Sequence, residues 1–229
     1  MSDGLPPLDE LRGELDEILT DQTLRQPGQD GRLLALACAV ISEALDRHGM
    51  RAILVGGGAI EFHAPGAYAT EDVDLVVESR TGPPERRRLH EAFAALGFGA
   101  SGRHWSRDGF FVEVPGNRLE DPFGEYAVGP YTLRVVNKEV VLVGRLVEFD
   151  QTGHTGHGAQ AVTMLRAFAG ELDRSLLDHL LRRERAGKVY QALWELAASD
   201  RPITAAVLQD TRNRLHGRTS TSEEPAEEG

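Results

Sequence analysis

Residues 53–77 read ILVGGGAIEFHAPGAYATEDVDLVV, and this stretch decides how the rest of the chain is understood. The run Arg51-AILV-Gly56 is β-rich and stops abruptly at three glycines, Gly56, Gly57 and Gly58. A strand that runs into such a turn brings backbone N–H groups within close reach of a phosphate chain, and the following helix N-terminus adds a favourable potential for an anion. Residues 58–64 then suit a short helix, which Pro65-Gly66 must end. Val73-DLVV-Glu78 has the composition of a second strand. On a strand, side chains two apart share a face, so Asp72 and Asp74 point together while Val73 and Leu75 oppose them. Two adjacent carboxylates repel unless a cation lies between them, and hard oxygen ligands of this kind suit Mg²⁺ with substrate phosphates completing its shell. A solvated strand end and a plain β-to-α turn are the bland readings of the two halves. It is their order and spacing that favours phosphate handling.

Working outward, helix-spaced apolar positions occur at Leu8, Leu11, Leu15 and Ile18, and again at Leu33, Leu34, Ala37, Ile41 and Leu45, predicting helices over 7–20 and 31–49. A further helix is expected over 83–96 and strands over 110–115 and 131–137. Residues 138–150 fit a strand or a helix. From Gly158 the pattern is helical, with segments at 159–169, 173–185, 187–198 and 202–215. The expected fold class is therefore α+β, a small mixed β-sheet flanked by helices with a helical C-terminal region. The expected organisation is N-terminal helices over 1–50, a core over 51–150, a helical region over 151–215 and an acidic, disordered tail over 216–229.

Composition narrows the functional classes. The formal net charge of −11 argues against a broad nucleic-acid-binding surface, though not against a metal–nucleotide substrate. No apolar run reaches the roughly 20 residues that span a bilayer, and the N-terminus lacks a signal pattern, so no membrane partner and a cytoplasmic location are expected. The single cysteine, Cys38, lies in an apolar run and is expected to be a buried hydrophobe.

The stretch 53–77 resembles the signature of the DNA-polymerase-β-like nucleotidyltransferase superfamily: a hydrophobic residue, small residues led by Gly, a spacer of about a dozen, then an Asp-x-Asp with hydrophobic flanks. It is most similar to the minimal bacterial group that includes toxin–antitoxin and abortive-infection enzymes, which often carry Thr two residues before the first Asp, as Thr70 is here. The resemblance implies a transferase that takes a nucleoside triphosphate and Mg²⁺. It implies Gly56, Gly57, Gly58 and Thr70 as nucleotide contacts, and Asp72 and Asp74 as catalytic metal ligands. It also implies a third acid on a later strand that deprotonates or positions the attacking hydroxyl and helps hold a second metal ion. Glu113, in Phe110-Phe111-Val112-Glu113-Val114, is that candidate, with the family's commoner Asp replaced by Glu. Asp108 is the runner-up, but Arg107-Asp108-Gly109 has a hairpin-turn pattern. Tyr68 stands where relatives commonly have Arg. The acceptor implied is open: a protein side chain, an RNA end or a small molecule.

Other features are read more plainly. His154 and His157 are candidate substrate contacts in a polar junction without a zinc ligand set. Lys138 and Arg145 are positional candidates for triphosphate contact. Arg86–Arg88 and Arg182–Arg185 suit solvated helix faces, and Trp105 and Trp194 suit core or interface positions. Two alternatives stand beside the transferase reading. One is a non-catalytic regulatory or antitoxin-like protein on the same fold. The other is a dinucleotide-binding protein, with Glu78 as the ribose-binding acid, although Glu61 occupies the position of that motif's third glycine.

Overall fold

In the computed structural model the described residues are 7–24, 30–65, 72–79, 86–168 and 170–217. They form an α+β fold, and the chain divides into two compact units, Met1–Val141 and Leu142–Gly229. Among the described residues, no helix is long and apolar enough to cross a membrane.

The first unit opens with helices α1 (Leu8–Thr20) and α2 (Asp30–Arg47). Helix α1 buries Leu11, Leu15, Ile18 and Leu19, one face at helical spacing. Gly49, at φ +71°, turns the chain after α2 into β1 (Met50–Val55). Helix α3 (Gly56–His63) leads on, and β2 (Asp72–Ser79) follows later in the chain. Helix α4 (Arg86–Ala95) precedes three strands, β3 (Gly99–Ser101), β4 (His104–Arg107) and β5 (Phe110–Glu113). The edge pair β6 (Phe123–Val128) and β7 (Tyr131–Val136) completes a mixed seven-stranded sheet of order β3-β4-β5-β2-β1-β7-β6. Helices α1 and α2, expected as a preceding segment, fall within this unit, where α2 packs on β1 and β7.

Alternation sorts the sheet into two faces. Ala52 and Leu54 of β1, Val73, Leu75 and Val77 of β2, Val112 of β5 and Leu133 and Val135 of β7 are all at most 3% exposed. Burying a Leu or Val of this kind contributes about 1.5–3 kcal/mol, so this face anchors the sheet. Asp72, Asp74, Phe111, Glu113, His104 and Ser106 belong by register to the opposite face. The expected core roles of Cys38 and Trp105 hold: both are buried, and Trp105 stacks on Phe93 with ring centroids 4.6 Å apart. Burial also pushes the Cys38 thiol well above its ordinary range.

Strands β3, β4 and β6 were not expected. All three are short or edge strands with little apolar alternation, so their stability comes from pairing within the sheet rather than from pattern. Residues 138–150, open to either reading, form helix α5 (Lys138–Thr152), with Leu142, Leu146 and Phe149 buried at helical spacing.

The division between the units falls within α5. In the second unit, α6 (Thr155–Phe168) packs on α8 (Gly187–Ala197) and α9 (Ala205–Leu215), while α7 (Arg174–Arg183) packs on α8. Asp173 caps α7, accepting from the Ser175 and Leu176 N–H groups at 2.9 and 3.1 Å. Arg212 closes the C-terminal end of α5 by donating to the Asp150 carbonyl from Nε and Nη2 at 3.1 and 3.0 Å.

Glu78 at the end of β2 ties two segments together. Its carboxylate accepts from the Leu119 N–H at 2.8 Å and from Arg51 Nε at 3.1 Å. Burial pushes this carboxyl up, but the Leu119 N–H and the Arg51 guanidinium outweigh it and hold it below the usual glutamate range. A depressed folded value means stability that is present above the ordinary glutamate range and lost as pH falls through the folded value. Glu78→Gln is expected to lower stability by about 1–3 kcal/mol at neutral pH. The gap to the parent protein should narrow on acidification, as followed by thermal melts across pH.

Candidate functional site

The glycine turn and the acid strand meet. Strands β1 and β2 are antiparallel, with Val55 opposite Asp74, so the residue after β1 lies beside that carboxylate. That residue, Gly56, has φ +61°, a left-handed conformation that side-chain-bearing residues rarely adopt. A Cβ on Gly56 would lie 2.2 Å from Asp74 Oδ2 and 3.0 Å from its Cγ. Two independent constraints therefore require glycine here, one from the backbone and one from the neighbouring acid. Gly57 and Gly58 are buried, and a Cβ on Gly58 would come within 2.9 Å of Leu54 Cδ1, so the first turn of α3 sits tightly on β1. Val55, at the N-cap, supplies no side-chain cap, so among the described residues the first N–H groups of this helix are left to other partners.

The other end of α3 is anchored too. His63 Nε2 lies 2.8 Å from the Val136 carbonyl of β7. Burial lowers the pKa of this imidazole, with the Val136 carbonyl opposing the shift. The helix carrying the glycines is thus pinned to the sheet at both ends.

Asp72 is exposed and Asp74 half-buried on the same face of β2. Strand β5 lies parallel to β2 with Glu113 opposite Asp74 and Phe111 opposite Asp72. The register therefore brings the third expected acid beside the pair, on the face that carries it. Glu113 is engaged by Arg103, whose Nε lies 2.7 Å from Oε1, and His104 Nδ1 is 3.7 Å from Oε2. Among the described residues, no three acid, histidine or cysteine side chains are gathered as a ready metal cluster. The donors on this face are nevertheless hard oxygens, and glycine at position 56 is what lets the Asp74 carboxylate lie directly against the turn. By donor chemistry and register, Asp72, Asp74 and Glu113 are the residues of this face that could hold a magnesium ion.

Asp108, the runner-up for the third acid, sits at the tip of the β4–β5 hairpin. Asp108 and Gly109 have φ +49° and +79°, the two-residue turn that their sequence suggests, and Asp108 pairs with Arg107 Nε at 3.3 Å. Thr70 and Tyr68 lie outside the described residues. The dinucleotide alternative requires a parallel βαβ unit, whereas β1 and β2 are antiparallel neighbours. Glu78, its ribose-binding candidate, is committed to Arg51 and Leu119, and Glu61 is 2% exposed.

His154 and His157 belong to the second unit. At this polar junction a single tight turn at Gly153, φ +72°, separates α5 from α6. The two imidazoles lie 4.9 Å apart by centroid, and His157 Nδ1 is 3.3 Å from Glu148 Oε2 and 3.4 Å from Arg145 Nη1. Arg145 also pairs with Glu148, so one guanidinium, one carboxylate and the His157 imidazole are linked here.

Arg103, His104 and Phe111, which lie beside these acids, were not singled out in the sequence. A signal was present. Counting back from the Asp108-Gly109 turn pairs Arg107 with Phe110, Ser106 with Phe111 and His104 with Glu113, which is the observed register. No family model, curated protein or solved structure matches this chain.

Gly56→Ala is expected to melt well below the parent protein, and Gly129→Ala supplies the control. Gly129 also has a positive φ, +58°, but nothing lies within 4 Å of its Cβ position. It should show only the backbone cost, about 1–2 kcal/mol. Equal losses in the two variants would show that Asp74 does not press on the turn.

Proposed function

We propose that this chain is a metal-dependent nucleotidyltransferase that moves a nucleoside monophosphate from Mg-NTP to an acceptor hydroxyl. The carrying observation is the fit between Gly56 and Asp74, which joins an uncapped, glycine-lined helix start to a paired-acid strand. The register of Glu113 beside Asp74 supports it further.

In this reading the N–H groups at the start of α3 bind and orient the phosphate oxygens of the nucleotide. Asp72 and Asp74 would hold Mg²⁺, which when bound would neutralise the triphosphate and favour ionisation of the attacking hydroxyl. Glu113 accepts the proton of that hydroxyl or positions it. The hydroxyl oxygen forms a bond to the α-phosphorus, the bond from that phosphorus to its bridging oxygen breaks, and pyrophosphate leaves with the electron pair. Arg103 holds the Glu113 carboxylate and gives it up to the acceptor hydroxyl.

One observation favours a second reading, a non-catalytic regulatory protein on the same fold: Glu113 is already paired with Arg103. A transfer assay separates the two. With each labelled nucleoside triphosphate, Mg²⁺ and cell extract, the parent protein should label an acceptor identifiable by mass. Asp72→Asn should lose about 10²-fold or more of that labelling while melting normally. Full labelling by Asp72→Asn, or labelling without a divalent metal, would overturn the transferase reading.

A further inference from the structure

The acid-bearing face continues from Glu113 across the β4–β5 hairpin, where the paired strands present Phe111, Ser106 and His104, with Asp108 at the hairpin tip. Phe111 is 48% exposed, the most exposed large hydrophobic residue of the described chain. It lies opposite Asp72 and two residues before Glu113 on the same strand face, about 6.6 Å along β5 from that acid. Strand β4 places Ser106 opposite Phe111 and His104 opposite Glu113, both exposed. Arg103 reaches the same acid from the turn before β4, with a side chain that is two-thirds exposed.

We infer that Phe111, Arg103 and His104 form the acceptor subsite, and that the acceptor is a nucleotide. This deepens the transferase reading and rests on it. If Glu113 handles the attacking hydroxyl, the acceptor approaches over β5 and β4, because the glycine turn that takes the triphosphate lies on the other flank of β2. An exposed ring costs solvation unless a partner covers it, and a nucleobase stacks on a ring of this kind. A guanidinium offers five donors, of which Nε is used on Glu113, and it suits a phosphate. A base on Phe111 and a phosphate at Arg103 leave a ribose hydroxyl beside Glu113. The net charge of −11 argues against a long polyanion track and so favours contact with a single nucleotide. A free nucleotide and the terminal nucleotide of an RNA share this chemistry.

The test has a binding arm and a transfer arm. In the binding arm, full-length protein carrying ¹³C-labelled phenylalanine is titrated with AMP, and separately with a six-residue oligoribonucleotide, in EDTA. The Phe111 ring resonances are identified from their absence in Phe111→Leu. A saturable shift of those resonances is expected. A shift with both ligands assigns a free nucleotide as sufficient, and a shift with the oligomer alone assigns an RNA end. In the transfer arm, with Mg²⁺ and labelled triphosphate, Phe111→Ala should lower kcat/KM for the nucleotide acceptor about tenfold or more. The triphosphate KM should be unchanged, and Phe111→Trp should restore the rate. No shift with either ligand, or parental transfer by Phe111→Ala, overturns the inference. A saturable shift with no transfer to any acceptor leaves the subsite standing and overturns the transferase reading instead.

Discussion

A missing Cβ organises this molecule. Gly56 takes a left-handed backbone conformation directly beside the Asp74 carboxylate, and any side chain there would occupy the same space as Asp74 Oδ2. That single approach fixes how the chain leaves β1, how α3 starts without a side-chain cap, and how closely the acid strand lies to the turn. The core face of the sheet then holds the arrangement in place. Leu54 and Leu75, paired across β1 and β2, are fully buried, so the strands cannot slip without exposing them.

Strand pairing carries the arrangement outward from that point. The parallel β2–β5 register sets Glu113 beside Asp74, and the tight Asp108-Gly109 hairpin sets β4 beside β5. The result is one face with a gradation of chemistry: glycine turn, paired carboxylates, a third carboxylate held by a guanidinium, then an exposed aromatic ring. The Arg103–Glu113 pair is mostly solvent-exposed on its arginine side, so its intrinsic contribution to stability is small, about 0–1 kcal/mol. A contact that weak can be exchanged for a substrate or metal contact without disturbing the fold.

The glycine turn, the Asp-x-Asp strand and the major helices were legible because strong local signals agreed with the tertiary structure. Apolar spacing marked α1 and α2, and the three glycines marked the turn. Strand β4 was not legible from composition, since His104-Trp105-Ser106-Arg107 has only one core residue and owes its place to the hairpin. Its loss from the reading hid Arg103 and His104, and with them the partner of Glu113. The antiparallel pairing of β1 and β2 was equally beyond a local reading, because a glycine-rich turn before a helix serves parallel and antiparallel neighbours alike. Helix α5 resolved through packing: Leu142, Leu146 and Phe149 bury one helical face that a strand would have split between two.

The claim that the Gly56 turn and the acid pair form one metal–nucleotide site is tested most directly by binding, since binding needs no acceptor. Manganese stands in for magnesium, and its free ion is counted by electron paramagnetic resonance while the protein is titrated in the presence of non-hydrolysable analogues of the four nucleoside triphosphates. The account predicts nucleotide-dependent retention of manganese by the parent protein and its loss in Asp74→Asn, with both proteins folded. Equal retention by the two proteins, or none by the parent with any of the four analogues, would contradict it.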